Sequence, residues 1–434
     1  MAWVELATAL QLIRLPGTRP WTALWAEDGH YFLVRGLEEP FGSLFETHGG
    51  YYQFAARAIG SATGLVPLER APSVFAYLGA LSAALLSLYV FYASDSVFRT
   101  RWARGLLAGV MVLTPAAIYE VSANGLDAHW YLLFACFWAL WSTASTPRRV
   151  VADALVVAVA TVSSPLTTAY APLALRRVWL DRGPGRWVVP GLFAAGAIAQ
   201  ASYILTHPGN TRFADFEAGD LPGIFAVRVA GSAIVGDSLL QGAWETFGWS
   251  LAVGAAAFLV AVALWALGLA RGQRRLFVLA ATAYAVILMV GSAYLRGTVE
   301  SRMEIGAFSL NGSRYHYVPI LLVTAVFVAL GDLRGRLRWA RRVPALVVAG
   351  TLVTNFWPPE GVRTDLPEWR DSVVAAEPRC RDGAETVDIP VAPPPLFFAR
   401  LPCDDVTDAA RRVRASANPS PSDGRARDPA SGGG

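Results

Sequence analysis

Residues 276–295 read LFVLAATAYAVILMVGSAYL, a run of twenty residues without a charged side chain. At a rise of about 1.5 Å per residue, a helix of this length matches the roughly 30 Å hydrocarbon core of a bilayer. Arg274, Arg275 and Arg296 flank the run on both sides. The run therefore predicts a transmembrane helix, and similar runs elsewhere predict a bundle of several such helices.

The composition of the whole chain also indicates a membrane protein. Hydrophobic residues make up 54% of it and charged residues only 16%, whereas soluble domains have about a quarter charged residues. The 15 tryptophans fit helices that end among lipid headgroups, where this residue is enriched. All 37 basic residues are arginine, so a cation that binds a phosphate must be arginine or histidine. Arginines in cytoplasmic loops account for the pI of about 9.0, which therefore predicts no nucleic-acid partner.

Apolar runs of spanning length recur along the chain. We expect transmembrane helices at residues 71–93, 104–120, 128–144, 187–206, 244–270, 276–295, 315–333 and 343–357. The run 150–175 is too long for one span and short for two, and Ser163-Ser164-Pro165 interrupts it. We expect a hairpin of two half-length helices there, beside a cavity that satisfies the freed backbone groups. The predicted fold class is thus all-α: a polytopic transmembrane helical bundle with about ten crossings.

Arginine positions orient this bundle, because cytoplasmic loops carry an excess of basic residues. With ten crossings, five clusters fall on one side: Arg99/Arg101/Arg104, Arg148/Arg149, Arg176/Arg177/Arg182/Arg186, Arg271/Arg274/Arg275 and Arg334/Arg336/Arg338/Arg341/Arg342. Both ends of the chain then lie outside. Residues 2–13 are apolar but too short to cross, and no clear signal peptide precedes them. The sequence predicts either an amphipathic surface helix there or a helix upstream of Met1, and favours the second.

Glu27-Asp28-Gly29 is the most unusual polar feature of the first external region. Two adjacent carboxylates at a membrane face have few structural uses, so they are candidate catalytic residues. In a helix, neighbouring side chains point about 100° apart, so only one of the two would face a reacting centre. The alternative interpretation is a helix N-cap followed by an acidic residue in the first turn.

The predicted external side also carries all five histidines. Candidate substrate-binding residues there are His30, His48, Tyr51, Tyr52, Asp127 and His129. Each of them alone could be an ordinary polar loop residue, but their one-sided clustering favours chemistry at that face. A transporter would instead carry ionisable residues near the middle of the membrane. Such residues are scarce here, and Asp153 and Asp237 lie near span edges.

Beyond residue 358 the chain becomes polar. Cys380 and Cys403 lie in this external part, and an oxidising compartment favours a disulfide between them. Residues 387–391 predict a short strand, whereas the composition from residue 408 onward predicts disorder. The predicted organisation is an N-terminal region with the first external loop (1–70), the helical bundle (71–357), a small external disulfide-linked subdomain (358–407) and a disordered tail (408–434).

Three short motifs stand out: Trp25-x-Glu27-Asp28-Gly29, then His48-Gly49-Gly50-Tyr51-Tyr52 with Arg57, and Arg314-Tyr315-x-x-x-Pro319. Together they resemble the bacterial branch of the GT-C glycosyltransferases, multi-spanning enzymes that use polyprenyl-phosphate sugars. The tail, with Trp369 and the two cysteines, is similar to the tails of actinobacterial members. The resemblance covers most of the chain, although its motifs are short.

The resemblance implies an active site on the extracytoplasmic face of the bacterial plasma membrane. A hydroxyl of a cell-envelope glycan or lipid would attack a hexose or pentose on a polyprenyl-phosphate donor, and Asp28, supported by Glu27, would take its proton. An arginine fork suits the leaving phosphate. The candidate phosphate ligands are Arg314, Arg302, Arg57 and His316. The implied partners are the lipid donor, the acceptor and membrane lipids, and no cofactor or metal is indicated.

Other functions stay open at this point. The leading alternative is a transporter or flippase of lipid-linked sugars, and another is a non-catalytic membrane scaffold for envelope assembly. A lipid-linked O-antigen ligase is close in its chemical logic. The sequence contains no Walker, Rossmann, zinc or serine-hydrolase pattern, which argues against chemistry on soluble nucleotides.

Overall fold

A computed structural model describes residues 1–143, 146–183, 185–207, 218–296, 312–333, 338–358 and 363–417. The helices up to residue 180 are α1 (Ala2–Ile13), α2 (Val34–Glu38), α3 (Phe54–Gly64), α4 (Ala71–Ala93), α5 (Arg101–Val112), α6 (Ile118–Val121), α7 (Ala128–Trp141), α8 (Pro147–Thr161) and α9 (Ala171–Leu180). The later helices are α10 (Gly185–Thr206), α11 (Leu221–Ile224), α12 (Ser232–Val235), α13 (Asp237–Phe247), α14 (Trp249–Leu269), α15 (Gln273–Arg296), α16 (Arg314–Asp332), α17 (Arg338–Thr354), α18 (Trp369–Arg381) and α19 (Cys403–Ala417).

The predicted all-α class is modified by two antiparallel hairpins. One joins β1 (Thr47–His48) to β2 (Tyr51–Tyr52), and the other joins β3 (Thr386–Val391) to β4 (Phe397–Pro402). Two π-helical stretches also occur, at Asp28–Leu33 and at Phe225–Gly231. Apart from these hairpins, the regular structure of the described residues is helical.

Six described helical stretches are long and apolar enough to cross a bilayer: Leu68–Ser96, Gly185–Thr206, Ala218–Val235, Trp249–Leu269, Gln273–Leu295 and Arg314–Asp332. They contain or closely match the predicted spans 71–93, 187–206, 276–295 and 315–333. The predicted span 244–270 is divided at Gly248, whose φ of 50° separates α13 from α14. By helix length and composition, the chain is therefore a multi-span membrane protein. The described residues contain six such stretches, compared with the prediction of about ten crossings.

The predicted span 104–120 is wrong. Helix α5 ends at Val112 and α6 begins at Ile118, because Pro115 has no amide hydrogen and disfavours helix at Thr114 before it. The predicted spans 128–144 and 343–357 correspond to α7, of 14 residues, and α17, of 17 residues. The stretch Ala218–Val235 was not predicted as a span, since Pro222 and Arg228 interrupt its apolar pattern.

The interrupted run at 150–175 forms the predicted hairpin. Helix α8 ends at Thr161, a 3₁₀ turn follows at Pro165–Tyr170, and α9 returns toward its starting side. Arg177, near the end of α9, pairs with Asp153 in the first half of α8 at 2.9 Å, and both side chains are fully buried. This ion pair requires the two helices to run antiparallel.

The arginine clusters gather at one end of the bundle. Asp332 accepts the backbone N–H groups of Arg99 and Thr100 and pairs with Arg274 at 3.1 Å. Arg149, from the next cluster, pairs with Asp153 at 3.3 Å. We call this end the arginine-rich face. Helices α4, α7 and α16 begin at the opposite end, which we call the cleft face because a cleft opens there.

Helix α1 packs lengthwise against α4 at the edge of the bundle, with Ala7, Thr8 and Gln11 buried and Leu6 exposed, and this packing corrects the surface-helix alternative. The Nε1 of Trp3 donates to Oγ of Ser87 at 3.0 Å, near the end of α4. Ala7 packs against Ala84 and Val112 farther along. The two helices are therefore antiparallel, and α1 delivers the chain to the cleft face just ahead of Glu27.

The first loop, which we define as residues 14–53, packs with residues 363–417, which we call the C-terminal segment. In the C-terminal segment, α18 and α19 cover the β3–β4 hairpin. Its Val373, Ile389 and Leu401 belong to the same hydrophobic core as Phe32 and Leu33. The two chain regions therefore form one unit on the cleft face, and the small external subdomain at 358–407 stays a prediction.

Two further predictions concern this segment. A disulfide joins Cys380 to Cys403, with a Cα–Cα distance of 5.2 Å. The predicted boundary at 407/408 is wrong, because α19 continues to Ala417. Its amphipathic pattern buries Val406, Ala409 and Ala410, and this burial outweighs the disorder that composition predicted for residues 408–417. Residues 418–434 lie outside the described residues.

Candidate active site

A cleft of about 160 Å³ opens on the cleft face. Its polar lining comes from Glu27, His48, Tyr51, Asp127, His129 and Arg314. Its apolar lining includes Leu166 in the α8–α9 turn, Ile204 in α10 and Leu295 in α15. Polar groups of the first loop thus meet apolar side chains of helices that are long enough to cross the membrane.

The acidic motif divides its two carboxylates between the cleft and the interior. Glu27 lines the cleft, whereas Asp28 is only 3% exposed. The Asp28 carboxylate accepts the backbone N–H groups of Leu126, at 2.8 Å, and Gly125, at 3.2 Å. Burial raises the pKa of Asp28 to about 7, although both hydrogen bonds and the charge of Arg363 oppose this shift. Asp28 therefore attaches the first loop to the turn before α7, and Glu27 presents its carboxylate to the cleft.

The start of α7 supplies Asp127 and His129. Asp127 Oδ1 accepts Nε1–H of Trp130 at 3.0 Å, and Oδ2 accepts the Asn124 amide at 3.1 Å. Nδ1 of His129 donates to the Leu126 carbonyl at 2.9 Å, which directs its other ring nitrogen away from that carbonyl. Burial raises the pKa of Asp127 well above its usual range, and Arg314 opposes the shift. Asp127 and Arg314 thus interact electrostatically in the same cleft.

Arg314 is fixed at the first residue of α16 by Glu120 of α6. Its Nη1 lies 2.6 Å from Glu120 Oε1, and its backbone N–H donates to Oε2 at 2.7 Å. The same carboxylate accepts bonds from the Gly312 N–H and the Ser313 hydroxyl. A buried carboxylate at a helix N-terminus satisfies amide groups that lack partners within the helix. Glu120 therefore caps α16 and orients the arginine toward the cleft.

A tight hairpin brings His48 and Tyr51 to the cleft wall. Gly49 and Gly50 occupy its two-residue turn with φ of 60° and 87°, a conformation that glycine adopts without steric cost. The backbone of Tyr52 exchanges two hydrogen bonds with the Gln200 amide of α10, at 3.1 and 3.0 Å. Tyr52 thus holds the hairpin against the bundle, so that its neighbour Tyr51 lines the cleft.

Several predicted site residues lie elsewhere. His30 faces the C-terminal segment and does not line the cleft. Arg57, predicted as a phosphate ligand, is 1% exposed, stacks on Tyr31 at 4.5 Å and donates to the Thr47 carbonyl. Its role in the structure is therefore to support the first loop.

The other two predicted phosphate ligands have different outcomes. His316 is 1% exposed within α16, and neither ring nitrogen has a hydrogen-bond partner among the described residues. It does not line the cleft. Arg302 lies outside the described residues. Of the four predicted phosphate ligands, Arg314 is thus the one that the described structure brings to the cleft.

Two residues of the site were missed by sequence reasoning. Glu120 was hidden at the end of the erroneous span 104–120, although its position shortly after Thr114-Pro115 was a signal that the helix had ended. Arg363 donates from Nη1 to the carbonyls of Tyr119, at 3.1 Å, and Ser122, at 3.0 Å. Its guanidinium also stacks over Trp25, 5.1 Å from the ring centre. No local sequence signal distinguishes Arg363 from other tail arginines.

The arrangement offers a carboxylate and a guanidinium on the walls of one cleft. Among the described residues, no group of three or more His, Cys, Asp or Glu side chains has the geometry of a metal site. The aromatic pair Trp130 and Tyr315, edge to face at 5.6 Å, adds an amphipathic surface. The cleft can therefore bind an anion at Arg314, accept a proton at Glu27 and contact an apolar chain.

No protein-family model and no curated protein matches this chain. Among solved structures, it is similar to ArnT from Cupriavidus metallidurans bound to undecaprenyl phosphate, with 15% identity, a TM-score of 0.43 and coverage of 80% of this chain and 63% of ArnT. It is also similar to the Archaeoglobus fulgidus oligosaccharyltransferase tethered to an acceptor peptide, with 13% identity, a TM-score of 0.41 and coverage of 88% and 57%. AglB from the same organism, in complex with an inhibitory peptide and dolichol phosphate, is similar with 13% identity and a TM-score of 0.38. The match covers 88% of this chain and 58% of AglB. This chain spans about three fifths of each of these proteins, and at such identities and TM-scores its chemistry must be argued from its own side chains.

Proposed function

We propose that the chain is a membrane glycosyltransferase, which moves a sugar from a polyprenyl-phosphate donor to a hydroxyl of a cell-envelope glycan or lipid. One observation carries the proposal: a single cleft combines the Glu27 carboxylate, the Arg314 guanidinium and apolar side chains of α10 and α15. A lipid-phosphate sugar has three matching parts, namely a hydroxylated ring, an anionic phosphate and an apolar chain.

The proposed step is a displacement at the anomeric carbon. The acceptor oxygen forms the glycosidic bond while the bond between that carbon and the phosphate oxygen breaks, and the electron pair leaves with the polyprenyl phosphate. Glu27 takes the proton of the acceptor hydroxyl. Arg314 stabilises the charge that grows on the leaving phosphate. Base and cation are both side chains, so the step as proposed requires no cofactor.

The position of Glu27 on the cleft wall supports Glu27 as the general base. The sequence favoured Asp28, but both oxygens of Asp28 accept backbone N–H groups in the interior. We therefore propose that Asp28 is a positioning residue, which holds the motif against the turn before α7. The donor would be a hexosyl or pentosyl lipid, used on the extracytoplasmic face of the bacterial plasma membrane.

A transfer assay tests this proposal. Purified full-length protein in lipid nanodiscs is incubated with radiolabelled polyprenyl-phosphate hexoses and pentoses and with bacterial envelope acceptors. We expect label to enter an acceptor with release of polyprenyl phosphate. If instead the protein moves the labelled lipid across vesicle membranes without breaking it, the transporter alternative replaces the transferase.

The assignment of the base is tested in the same assay. Glu27→Gln keeps the shape of the side chain and removes its proton affinity, so turnover should fall by about 10²–10⁴-fold with little change in the donor KM. Asp28→Asn should cost less, because its amide oxygen can still accept one of the two backbone bonds. The reverse order of effects would return the role of base to Asp28. Glu38→Gln, at an exposed position of the same loop, is the matched control.

A further inference from the structure

The C-terminal segment contacts the backbone immediately before Glu27. The N–H of Ala26 donates to the Ala392 carbonyl at 2.5 Å, and the N–H of Ala392 donates to the Leu24 carbonyl at 3.3 Å. Ala26 has a φ of 46°, in the left-handed region that residues with a Cβ rarely occupy. Such a conformation persists only where the surroundings fix it. The bridge to Ala392 is the contact that fixes it here.

The same segment packs against the residues immediately after the acidic pair. A Cβ built on Gly29 would lie 2.7 Å from Cγ2 and 3.0 Å from Cγ1 of Val391, at the end of β3. Nδ1 of His30 donates to the Phe398 carbonyl of β4 at 2.5 Å. Both strands of the β3–β4 hairpin therefore approach the acidic motif, and Gly29 allows β3 to approach this closely.

The motif is held from its other side by the turn before α7, which binds Asp28. Arg363, at the start of the C-terminal segment, joins this turn to the first loop, because it bonds the carbonyls of Tyr119 and Ser122 and stacks on Trp25. Its side chain is 2% exposed. Glu27 thus lies between Ala26, whose strained backbone is bonded to Ala392, and Asp28, whose carboxylate is bonded to Leu126. The contact with Ala392 lies outside the cleft, whereas Leu126 also lines it.

We propose that the C-terminal segment is a clamp that positions Glu27, through the contacts of Val391, Ala392 and Phe398 with the acidic motif. The proposal rests on the proposed function, because the residue that the clamp positions, Glu27, is the general base of that reaction. Arg314 begins α16 and Asp127 directly precedes α7. Their side chains bond to Glu120, Tyr315, Asn124 and Trp130, all outside the C-terminal segment. Release of the clamp should therefore lower turnover while donor binding at Arg314 persists.

A pair of substitutions tests this contact directly. Gly29→Ala adds the one atom for which Val391 leaves no space. Val391→Ala removes the two nearest carbon atoms that this Cβ would meet and leaves the milder contact with Leu24 Cβ at 3.2 Å. We expect Gly29→Ala to lower kcat by about 100-fold with a donor KM near that of the wild type. The double variant Gly29→Ala/Val391→Ala should recover most of the lost kcat. Gly109→Ala is the matched control, because nothing lies within 4 Å of its added Cβ.

Hydrogen–deuterium exchange of peptides covering residues 24–33 provides a readout that does not require activity. Gly29→Ala should speed exchange there by about tenfold, and the double variant should restore protection. Wild-type exchange in the single variant, or a double variant that is no better than the single one, would overturn the clamp. Absence of transfer by the wild-type protein together with rescued exchange would count against the proposed function and leave the mechanical role of the clamp intact.

Discussion

Asp28 is a carboxyl group whose burial couples the acidic motif to pH. Its folded pKa is raised to about 7 by burial, whereas an unfolded aspartate ionises near pH 4. Between these values the folded protein keeps a proton that the unfolded chain has lost. The stability that this proton contributes is fully present below about pH 4 and is lost as the pH rises through about 7.

Thermal unfolding in detergent checks this linkage. We expect the Tm of the wild type, relative to that of Asp28→Asn, to decrease as the pH is raised from about 4 to about 7. The comparison with Asp28→Asn cancels the contributions of the other carboxyl groups to first order. Parallel Tm curves for the two proteins across this range would contradict a raised pKa at Asp28.

Arg314 has two roles, the ion pair with Glu120 and the proposed binding of a phosphate in the cleft, and lysine can reproduce only the ion pair. It pairs with Glu120 through Nη1 and also lines the cleft. A lysine ammonium can satisfy Glu120, but it cannot present a second, planar pair of donors to a phosphate. Arg314→Lys should therefore lower kcat/KM for the lipid-phosphate donor by about 100-fold without loss of expression.

The control for this substitution is Arg411→Lys, an exposed arginine that pairs with Asp408 on α19. Exposed pairs of this kind contribute little to stability, so activity and expression should stay at the wild-type level. A normal kcat/KM for Arg314→Lys would contradict the phosphate-binding role. Arg314 would then be an anchor whose side chain reaches the lipid headgroups.

At the scale of elements, the sequence located the site residues that lie at predictable chain positions. His48, Tyr51, Asp127, His129 and Arg314 flank glycine turns or the starts of apolar runs, and all five line the cleft. Hydropathy and turn chemistry were sufficient for them because both are local properties.

The elements that sequence reasoning missed depend on long-range contacts. Glu120 is defined as a cap only by its bonds to residues 312–314, nearly two hundred positions later. Arg363 is defined by a turn more than two hundred positions earlier. Pro115 is the exception, since its effect on the helix is local and the span 104–120 could have been divided there. Division at Pro115 would have placed Glu120 outside a span and among the candidate site residues.

At the scale of the whole molecule, the first loop and the C-terminal segment form one unit. Helix α1 packs along α4, and the first loop shares a core with residues 363–417. The sequence treated these regions as separate, since periodicity reports which face of an element is apolar but not which distant element covers it. Their packing explains the strained residue beside the acidic motif, because the hydrogen bond from Ala26 to Ala392 joins the two regions.

The orientation of this unit across the membrane gives the last prediction. The arginine-rich face predicts the cytoplasmic side by charge alone, and the proposed reaction requires the cleft face to be outside. Single cysteines at Arg148, Arg182 and Arg271 report on the first face, and cysteines at Glu39, His207 and Arg411 report on the second; all six positions are exposed. The background is low, because Cys136 is buried and Cys380 and Cys403 form a disulfide.

In intact cells, a membrane-impermeant maleimide should label the cysteines at 39, 207 and 411 and leave those at 148, 182 and 271 unlabelled until the membrane is permeabilised. The two groups must respond oppositely, because asymmetric arginine charge fixes one orientation during insertion. Labelling of position 271 in intact cells together with protection of position 39 would show that the protein has the opposite orientation in the membrane. The cleft would then face the cytoplasm, and an extracytoplasmic transfer reaction would be excluded.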